Sequence, residues 1–363
     1  MSGIKKIFKN AINNIAVVFL SLILIFIIGE MTLRSYHYYK YRISILNDAN
    51  HGLSSKDDKL GWKMSKNLKY NVKDKDALNN AYNVNIETNE YGFRLFGNPQ
   101  SNKIKLFFIG DSFTAAMNIS NDKAYYGIIK NMIKDVEVFA YGAGGYGSLQ
   151  EFMILNEFMD LIKPNIIIWQ FYENDFFDND NELDMIKSFY NTGTPRPYLD
   201  LDGGITYRYA KYDNLFWVLP AQISENIRLL KFLNGRLSML INRLSKSRPV
   251  SEEIAQLEIA HGGFRHSAKI TKMIMEMVKR RAGNIPVYLF CITDKQPYYD
   301  TIKNICQSVG IRFIDGVPQS LIKYEKEKPN ITKAADREHL NEKGNRIVSE
   351  SLIQFLKENG VIQ

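Results

Sequence analysis

From residue 104 onward, two patterns take turns along the chain. Short, nearly continuous apolar runs, which suit strands buried on both faces, are followed by stretches whose apolar residues recur three and four apart, as on one side of a helix. Ile104 and Leu106 to Ile109 predict the first strand, with a second at Val136 to Ala140 and a third at Ile166 to Phe171. Pro286 to Ile292 and Gly310 to Asp315 predict a fourth and a fifth. Helices are predicted between them. The first runs from about Asp122 to Ile133, with Tyr125, Ile128, Ile129 and Met132 on one face, and the next from about Ser148 to Leu161. Another covers Glu252 to Arg281 with a break at Gly262-Gly263, and a fourth Tyr298 to Val309. The last begins at Asn341 and carries Val348, Leu352 and Phe355 at helical spacing, after what reads as a polar loop. Strands that alternate with helices imply an α/β domain with a parallel sheet covered on both faces.

Two regions break this rhythm. Residues 43–100 are polar with short β-like pieces; Tyr82, Val84 and Ile86 alternate as on one face of a strand. Trp62, Phe93 and several tyrosines favour an extension wrapped on the main domain over a flexible stalk. Residues at about 176–250 form an insertion at the sheet's carboxyl edge. It holds a hairpin turning at Asp202-Gly203 and an amphipathic helix from Ser224 to Leu244. It could be a lid, a substrate wall or a structural excursion. Phe176, Phe177, Phe216 and Trp217 could line an acyl cleft or belong to the core.

The amino terminus follows a different pattern again. Ala11 to Gly29 carries no charged residue, and a helix of that length spans about 28 Å, close to a bilayer core. Lys5, Lys6 and Lys9 precede it, Arg34, Lys40 and Arg42 follow, and tyrosines cluster just beyond. The lysines ahead of the span favour a cytoplasmic N-terminus, though the three basic residues behind it keep that bias weak. No small-x-small cleavage site follows, so an uncleaved signal anchor is expected, with the remainder outside the cytoplasm. The expected divisions are therefore 1–10 cytoplasmic, 11–29 in the lipid bilayer, 30–100 the extension and 101–363 the main domain.

Composition narrows the chemistry. The chain has 363 residues, 45% hydrophobic and 24% charged, with net charge +8. The charge is scattered lysine, without the basic, aromatic-interleaved stripe that would suit nucleic acid. The two cysteines, Cys291 and Cys306, exclude a disulfide framework and show no metal-binding spacing; two buried thiols are expected. No metal or organic cofactor is implied.

Chemistry concentrates at the strand ends. Gly110-Asp111-Ser112 follows the first strand at once, at the edge where open α/β sheets bind ligands. Ser112 could be a nucleophile there, or simply an N-cap. Of five histidines, only His339 stands in a loop after the last strand with an aspartate three residues before it. One turn would set Asp336 against Nδ1 and leave Nε2 for Ser112. His266, with Glu252 or Glu253 upstream, is the reserve base. The backbone N–H of Ser112, a backbone N–H at Gly145 and the Asn174 amide are candidate donors to an oxyanion. Gly142, Gly144 and Gly147 also fit a phosphate loop literally, but Tyr146 is bulky and no ribose-binding acid follows at a suitable distance.

Four blocks in order resemble the SGNH/GDSL hydrolase superfamily: Gly110-Asp111-Ser112, the Gly145 turn, Asn174-Asp175, and Asp336-x-x-His339 followed by Leu340-Asn341-x-x-Gly344. The resemblance covers about residues 104–358. It implies a flavodoxin-like three-layer sandwich with a five-stranded parallel sheet in order 2-1-3-4-5. It also implies Ser112 as nucleophile, His339 as base and Asp336 as its orienter, with Ser112, Gly145 and Asn174 forming the oxyanion hole. Thr88-Asn89-Glu90-Tyr91-Gly92-Phe93-Arg94 is similar to the extension of membrane-anchored bacterial members, whereas Ala140-Tyr141 stands where members often carry Asn. The function this implies is a membrane-anchored esterase acting on an acyl ester of an envelope glycan or lipid. An O-acyltransferase would use the same triad, and a non-catalytic envelope scaffold would keep only the fold.

Overall fold

The structure is a computed structural model that describes residues 2–41, 53–187, 195–209, 223, 227–233, 236 and 250–362. It opens with one long helix, α1 (Ser2–Tyr41), followed by two antiparallel hairpins: β1 (Ser54–Asp57) with β2 (Gly61–Met64), and β3 (Lys69–Lys75) with β4 (Ala81–Glu87). A short strand β5 (Leu95–Phe96) leads to β6 (Ile104–Gly110), α2 (Ser112–Ala115), α3 (Tyr125–Met132), β7 (Val136–Gly142), α4 (Ser148–Ile162) and β8 (Ile166–Phe171). Then come α5 (Asn174–Asp178), α6 (Asn181–Lys187) and a third hairpin, β9 (Arg196–Leu199) with β10 (Ile205–Arg208). The chain closes with α7 (Val250–Leu257), α8 (Gly262–Ala282), β11 (Val287–Cys291), α9 (Tyr298–Val309), β12 (Arg312–Ile314), α10 (Val317–Glu327) and α11 (Glu342–Glu358).

The central sheet has six strands in the order β12-β11-β8-β6-β7-β5. The pairs from β12 through to β7 are parallel, while β5 runs antiparallel to β7. The expectation of five strands, all parallel, is thus corrected to a mixed sheet. Two residues are too few to show periodicity, but Leu95 pairs with Ala140 and Phe96 with Phe139, which covers an otherwise open edge.

Both faces of the sheet are buried, which explains the continuous apolar strands. Along β6, Phe107 and Ile109 join a core with Ile154, Leu155 and Phe158 of α4, Met275 and Val278 of α8 and Ile302 of α9. Leu106 and Phe108 join the opposite core with Tyr125 and Ile129 of α3, Leu321 of α10 and Val348 and Leu352 of α11. Met132, expected on the inner face of α3, is exposed. The segment expected to be a polar loop before Asp336 holds α10, whose Val317, Pro318 and Leu321 are buried while Lys323, Glu325, Lys326 and Glu327 make its carboxyl half polar. The expected break in the long helix falls at residues 258–261, just ahead of the glycines, which begin α8. Cys291 and Cys306 are both buried and free, with burial pushing the Cys306 thiol up to about 12.

The extension packs on the domain. Val84 and Ile86 are buried beside Tyr70, and Asn89 Oδ1 accepts the N–H groups of Tyr91 and Phe93 at 3.0 and 2.9 Å, tightening the turn that feeds β5. Phe93 then enters an aromatic cluster, 4.8 Å from the Phe158 ring and 5.1 Å from Tyr141. Arg94, also buried, donates to the carbonyls of Ala115, Ala116 and Ile119 and to Asn121 Oδ1. It thereby closes the carboxyl end of α2, where Ala116 turns left-handed. Helix α1 is long and apolar enough over Asn10–Tyr39 to cross a membrane.

Candidate active site

Ser112 is the first residue of α2, set directly after the end of β6, so its N–H has no intrahelical acceptor. Asp111 caps the helix, its Oδ1 accepting the Phe113 N–H at 2.9 Å. The tight join of strand and helix needs small residues behind it. Gly110 pairs with Gly142, and a Cβ on Gly142 would lie 2.4 Å from the Ala115 nitrogen. Gln170, buried on β8, receives the Asp111 N–H at 3.2 Å and the Thr114 hydroxyl at 2.9 Å. Ser112 itself is half-buried.

His339 reaches Ser112 from the loop before α11. Its Nε2 stands 2.9 Å from Ser112 Oγ and its Nδ1 2.7 Å from Asp336 Oδ2. Asp336 Oδ1 accepts the N–H groups of Glu338 and His339, each at 2.9 Å, around Arg337 in the left-handed region. Partial burial pushes the Asp336 carboxyl upward, but those two N–H groups and the imidazole outweigh it, and the group is held below the ordinary carboxylate range. The Phe113 ring packs against the imidazole, with 5.1 Å between the ring centres and the planes tilted by 40°. Beyond the loop, Asn341 caps α11 by accepting the Gly344 N–H at 3.0 Å, and Asn118 donates to the Leu340 carbonyl at 2.7 Å. The Leu340-Asn341-x-x-Gly344 pattern is therefore the fastening of the histidine loop.

The reserve base belongs elsewhere. His266 Nδ1 lies 2.6 Å from Asp180 Oδ2, and Glu253 stands 4.0 Å from His261 instead. Of the cleft residues considered, Phe176 and Phe177 are buried, Phe176 against Phe171 and Phe264. Phe216, Trp217 and most of the Ser224–Leu244 helix lie outside the described residues.

The remaining two candidates sit at the ends of the strands that flank β6. Gly145 follows β7 with φ of +74°, a conformation that favours glycine. Asn174 follows β8, and its Nδ2 donates one hydrogen to Asp178 Oδ2 at 2.8 Å; the second hydrogen of that amide remains for a ligand. The phosphate-loop alternative loses its space, because a Cβ on Gly147 would meet the Asp178 backbone at 2.9 Å and Tyr146 is fully buried.

Reasoning from the sequence missed two residues that reach this turn. Trp62 Nε1 donates to the Gly144 carbonyl at 3.0 Å, and Arg196 donates to the Gly145 carbonyl. Neither lies in a motif. The only available signal was an arginine placed directly before a proline in an otherwise apolar hairpin strand.

Asp111 provides a pH test. Complete burial pushes its carboxyl up to about 6, against the lowering effect of the Phe113 N–H. The folded value lies above that of the unfolded chain, so the unfolded state gives up this proton first. The contribution is therefore fully present below about pH 4 and is lost as pH rises through about 6. Asp111→Asn is expected to flatten the fall in stability between about pH 4 and 6 by about 2–3 kcal/mol, measured as melting temperature against pH. An unchanged slope would contradict this.

No protein-family model matches the chain, and no curated protein matches it. Among solved structures, it is similar to a member of the lipolytic protein G-D-S-L family from Veillonella parvula, at 11% identity and a TM-score of 0.40, covering 70% of this chain and 98% of that one. A lipase/acylhydrolase from Enterococcus faecalis matches at 13% identity and a TM-score of 0.38, over 70% of this chain and 96% of its own. The acetylxylan esterase Axe2 from Geobacillus stearothermophilus matches at 14% and 0.37, over 72% and 95%.

Proposed function

We propose that the chain is a serine esterase of the SGNH/GDSL kind, held at a membrane by α1. The observation that carries this reading is the unbroken line from Asp336 through His339 to Ser112, with contacts of 2.7 and 2.9 Å. That is the arrangement an activated serine requires: a base within reach of the hydroxyl and a carboxylate fixing the base's tautomer. Asp336 stays ionised to below the ordinary carboxylate range, so it can offset the positive charge that forms on the imidazole.

In this mechanism His339 Nε2 takes the Ser112 proton as Oγ attacks the ester carbonyl. The Ser112 and Gly145 N–H groups and the Asn174 amide bind the oxyanion. His339 then returns the proton to the leaving alcohol. In the second half, water gives a proton to His339 and attacks the acyl-enzyme; collapse releases the acid and restores Ser112. No step needs a metal.

The substrate class we assign is a short acyl ester, such as an O-acetyl group on an envelope glycan or lipid. Two considerations support it. Phe176 and Phe177 are committed to the core, and α1 would keep the domain beside the envelope. The lysines before the span support placing the domain outside the cytoplasm.

The test is turnover by the full chain in detergent, with nitrophenyl esters of increasing acyl length and an acetylated glycan. Acetyl release that falls off with acyl length is expected. Absence of turnover from a folded protein would refute the reading. Transfer to an added sugar that outruns hydrolysis would replace it with an acyltransferase.

A further inference from the structure

The Gly144-Gly145-Tyr146 turn carries a proposed oxyanion donor, yet glycine leaves the direction of that donor undetermined. Gly145 N–H and the Gly144 carbonyl belong to one planar trans peptide, so fixing the carbonyl fixes the N–H to point the opposite way. Trp62 Nε1 holds that carbonyl at 3.0 Å. The next peptide is fixed as well: Arg196 donates to the Gly145 carbonyl, and Tyr146 N–H donates to the Ala143 carbonyl at 3.2 Å. Both peptides around the one left-handed glycine are thus tied to side chains from outside the sheet.

Arg196 continues the connection to the other side-chain donor. Its Nη1 lies 2.8 Å from Asp178 Oδ1 and 3.1 Å from Asp184 Oδ2, and Asp178 Oδ2 receives the Asn174 amide at 2.8 Å. The side chains of Arg196, Asp178 and Asp184 are 7%, 2% and 4% exposed, so little water competes for these bonds. The Trp62 ring covers the guanidinium at 5.1 Å. Tyr146 locks the tryptophan in turn, its hydroxyl donating to the Trp62 carbonyl at 2.5 Å.

We propose that Trp62 and Arg196 are positioning residues that aim the Gly145 N–H and the Asn174 amide at the oxyanion. The extension (through β2) and the insertion (through β9) would then be parts of the esterase machinery and not coverings. This inference rests on the serine esterase reading above.

The experiment uses the full chain in detergent and compares wild type with Trp62→Phe and Arg196→Met, each active-site-titrated with a fluorophosphonate. Trp62→Phe keeps an aromatic ring beside Arg196 and Tyr146 while removing the indole N–H together with the five-membered part of the ring. A small displacement of a reacting or stabilising group can cost about a hundredfold in rate. The expected kcat on an acetyl ester is therefore about tenfold lower for Trp62→Phe and roughly 10–100-fold lower for Arg196→Met, with KM within about twofold. Affinity for a boronic acid, whose serine adduct carries an oxygen in the oxyanion position, should fall by the same factors. A kcat per titrated site within twofold of wild type, or a change confined to KM or to melting temperature, would overturn the proposal. If Arg196→Met does not fold, Trp62→Phe alone decides. A wild-type chain that neither reacts with the fluorophosphonate nor turns over esters would sink the esterase reading itself. An active wild type with an unaltered Trp62→Phe would sink only the positioning role.

Discussion

Replacing Ser112 by alanine lowers kcat/KM on an acetyl ester by about 10⁵–10⁶-fold, and His339→Ala lowers it nearly as far. The two residues act as one unit, so the double variant should be no worse than either single one. The reason is chemical. Without Ser112 there is no Oγ to acylate; without His339 no base among the described residues is hydrogen-bonded to Oγ to take its proton. His266 pairs with Asp180 at 2.6 Å, whereas the imidazole on Ser112 Oγ is that of His339. Neither change should unfold the protein, since Ser112 is only half-buried and His339 lies in a loop fastened by its neighbours Asn341 and Asn118. Steady-state kinetics with melting curves checks both points, and multiplying losses in the double variant would show independent roles.

Asp336→Asn should cost about 10³–10⁴-fold in kcat. Asparagine keeps an oxygen for the Glu338 and His339 N–H groups, so the loop should survive. Its NH₂ would then face His339 Nδ1, which must become an acceptor. The imidazole proton moves to Nε2, where it points at Ser112 Oγ and can no longer accept from it. Asp336 is half-exposed (49%), which places the expected loss within that range and not above it. The same carboxylate gives a stability signature. Its folded value lies below that of the unfolded chain, so its contribution is present above about pH 4 and is lost as pH falls further. A kcat within tenfold of wild type would mean that Asp336 does not orient the base.

Much of this was legible in the sequence, for identifiable reasons. Strands buried on both faces must be nearly continuous in apolar residues, so Leu106 to Ile109 and Ile166 to Phe171 could be placed by eye. The grouping of Ser112, His339 and Asp336 was legible because a strand end fixes Ser112 and a single turn fixes Asp336 against His339. What escaped notice depends on contacts between distant segments. Leu95-Phe96 pairs with β7 through two residues and has no period of its own. Val317–Glu327 is a helix whose apolar positions, buried Val317 and Leu321 among them, are few and give way to lysines and glutamates from Lys323 onward. Trp62 and Arg196 lie 82 and 51 residues from the turn carbonyls they hold. Arg94 is similar: nothing in Tyr91-Gly92-Phe93-Arg94 reveals that its guanidinium closes the helix that carries Ser112.

These distant contacts give the extension a definite structural place. Arg94 steadies the helix that begins at Ser112, while Trp62 holds the turn that carries a proposed oxyanion donor. A fragment that begins at the first sheet strand would keep Ser112, Asp336 and His339 but lose both supports.

The proposed mechanism stands on the activation of Ser112 as a nucleophile. It is tested most directly by treating the full chain in detergent with a fluorophosphonate and identifying the modified residue. One phosphonylated site is expected, Ser112, with labelling lost in Ser112→Ala and reduced to background in His339→Ala. A folded wild-type protein that stays unlabelled, or that is labelled equally well without His339, would contradict it.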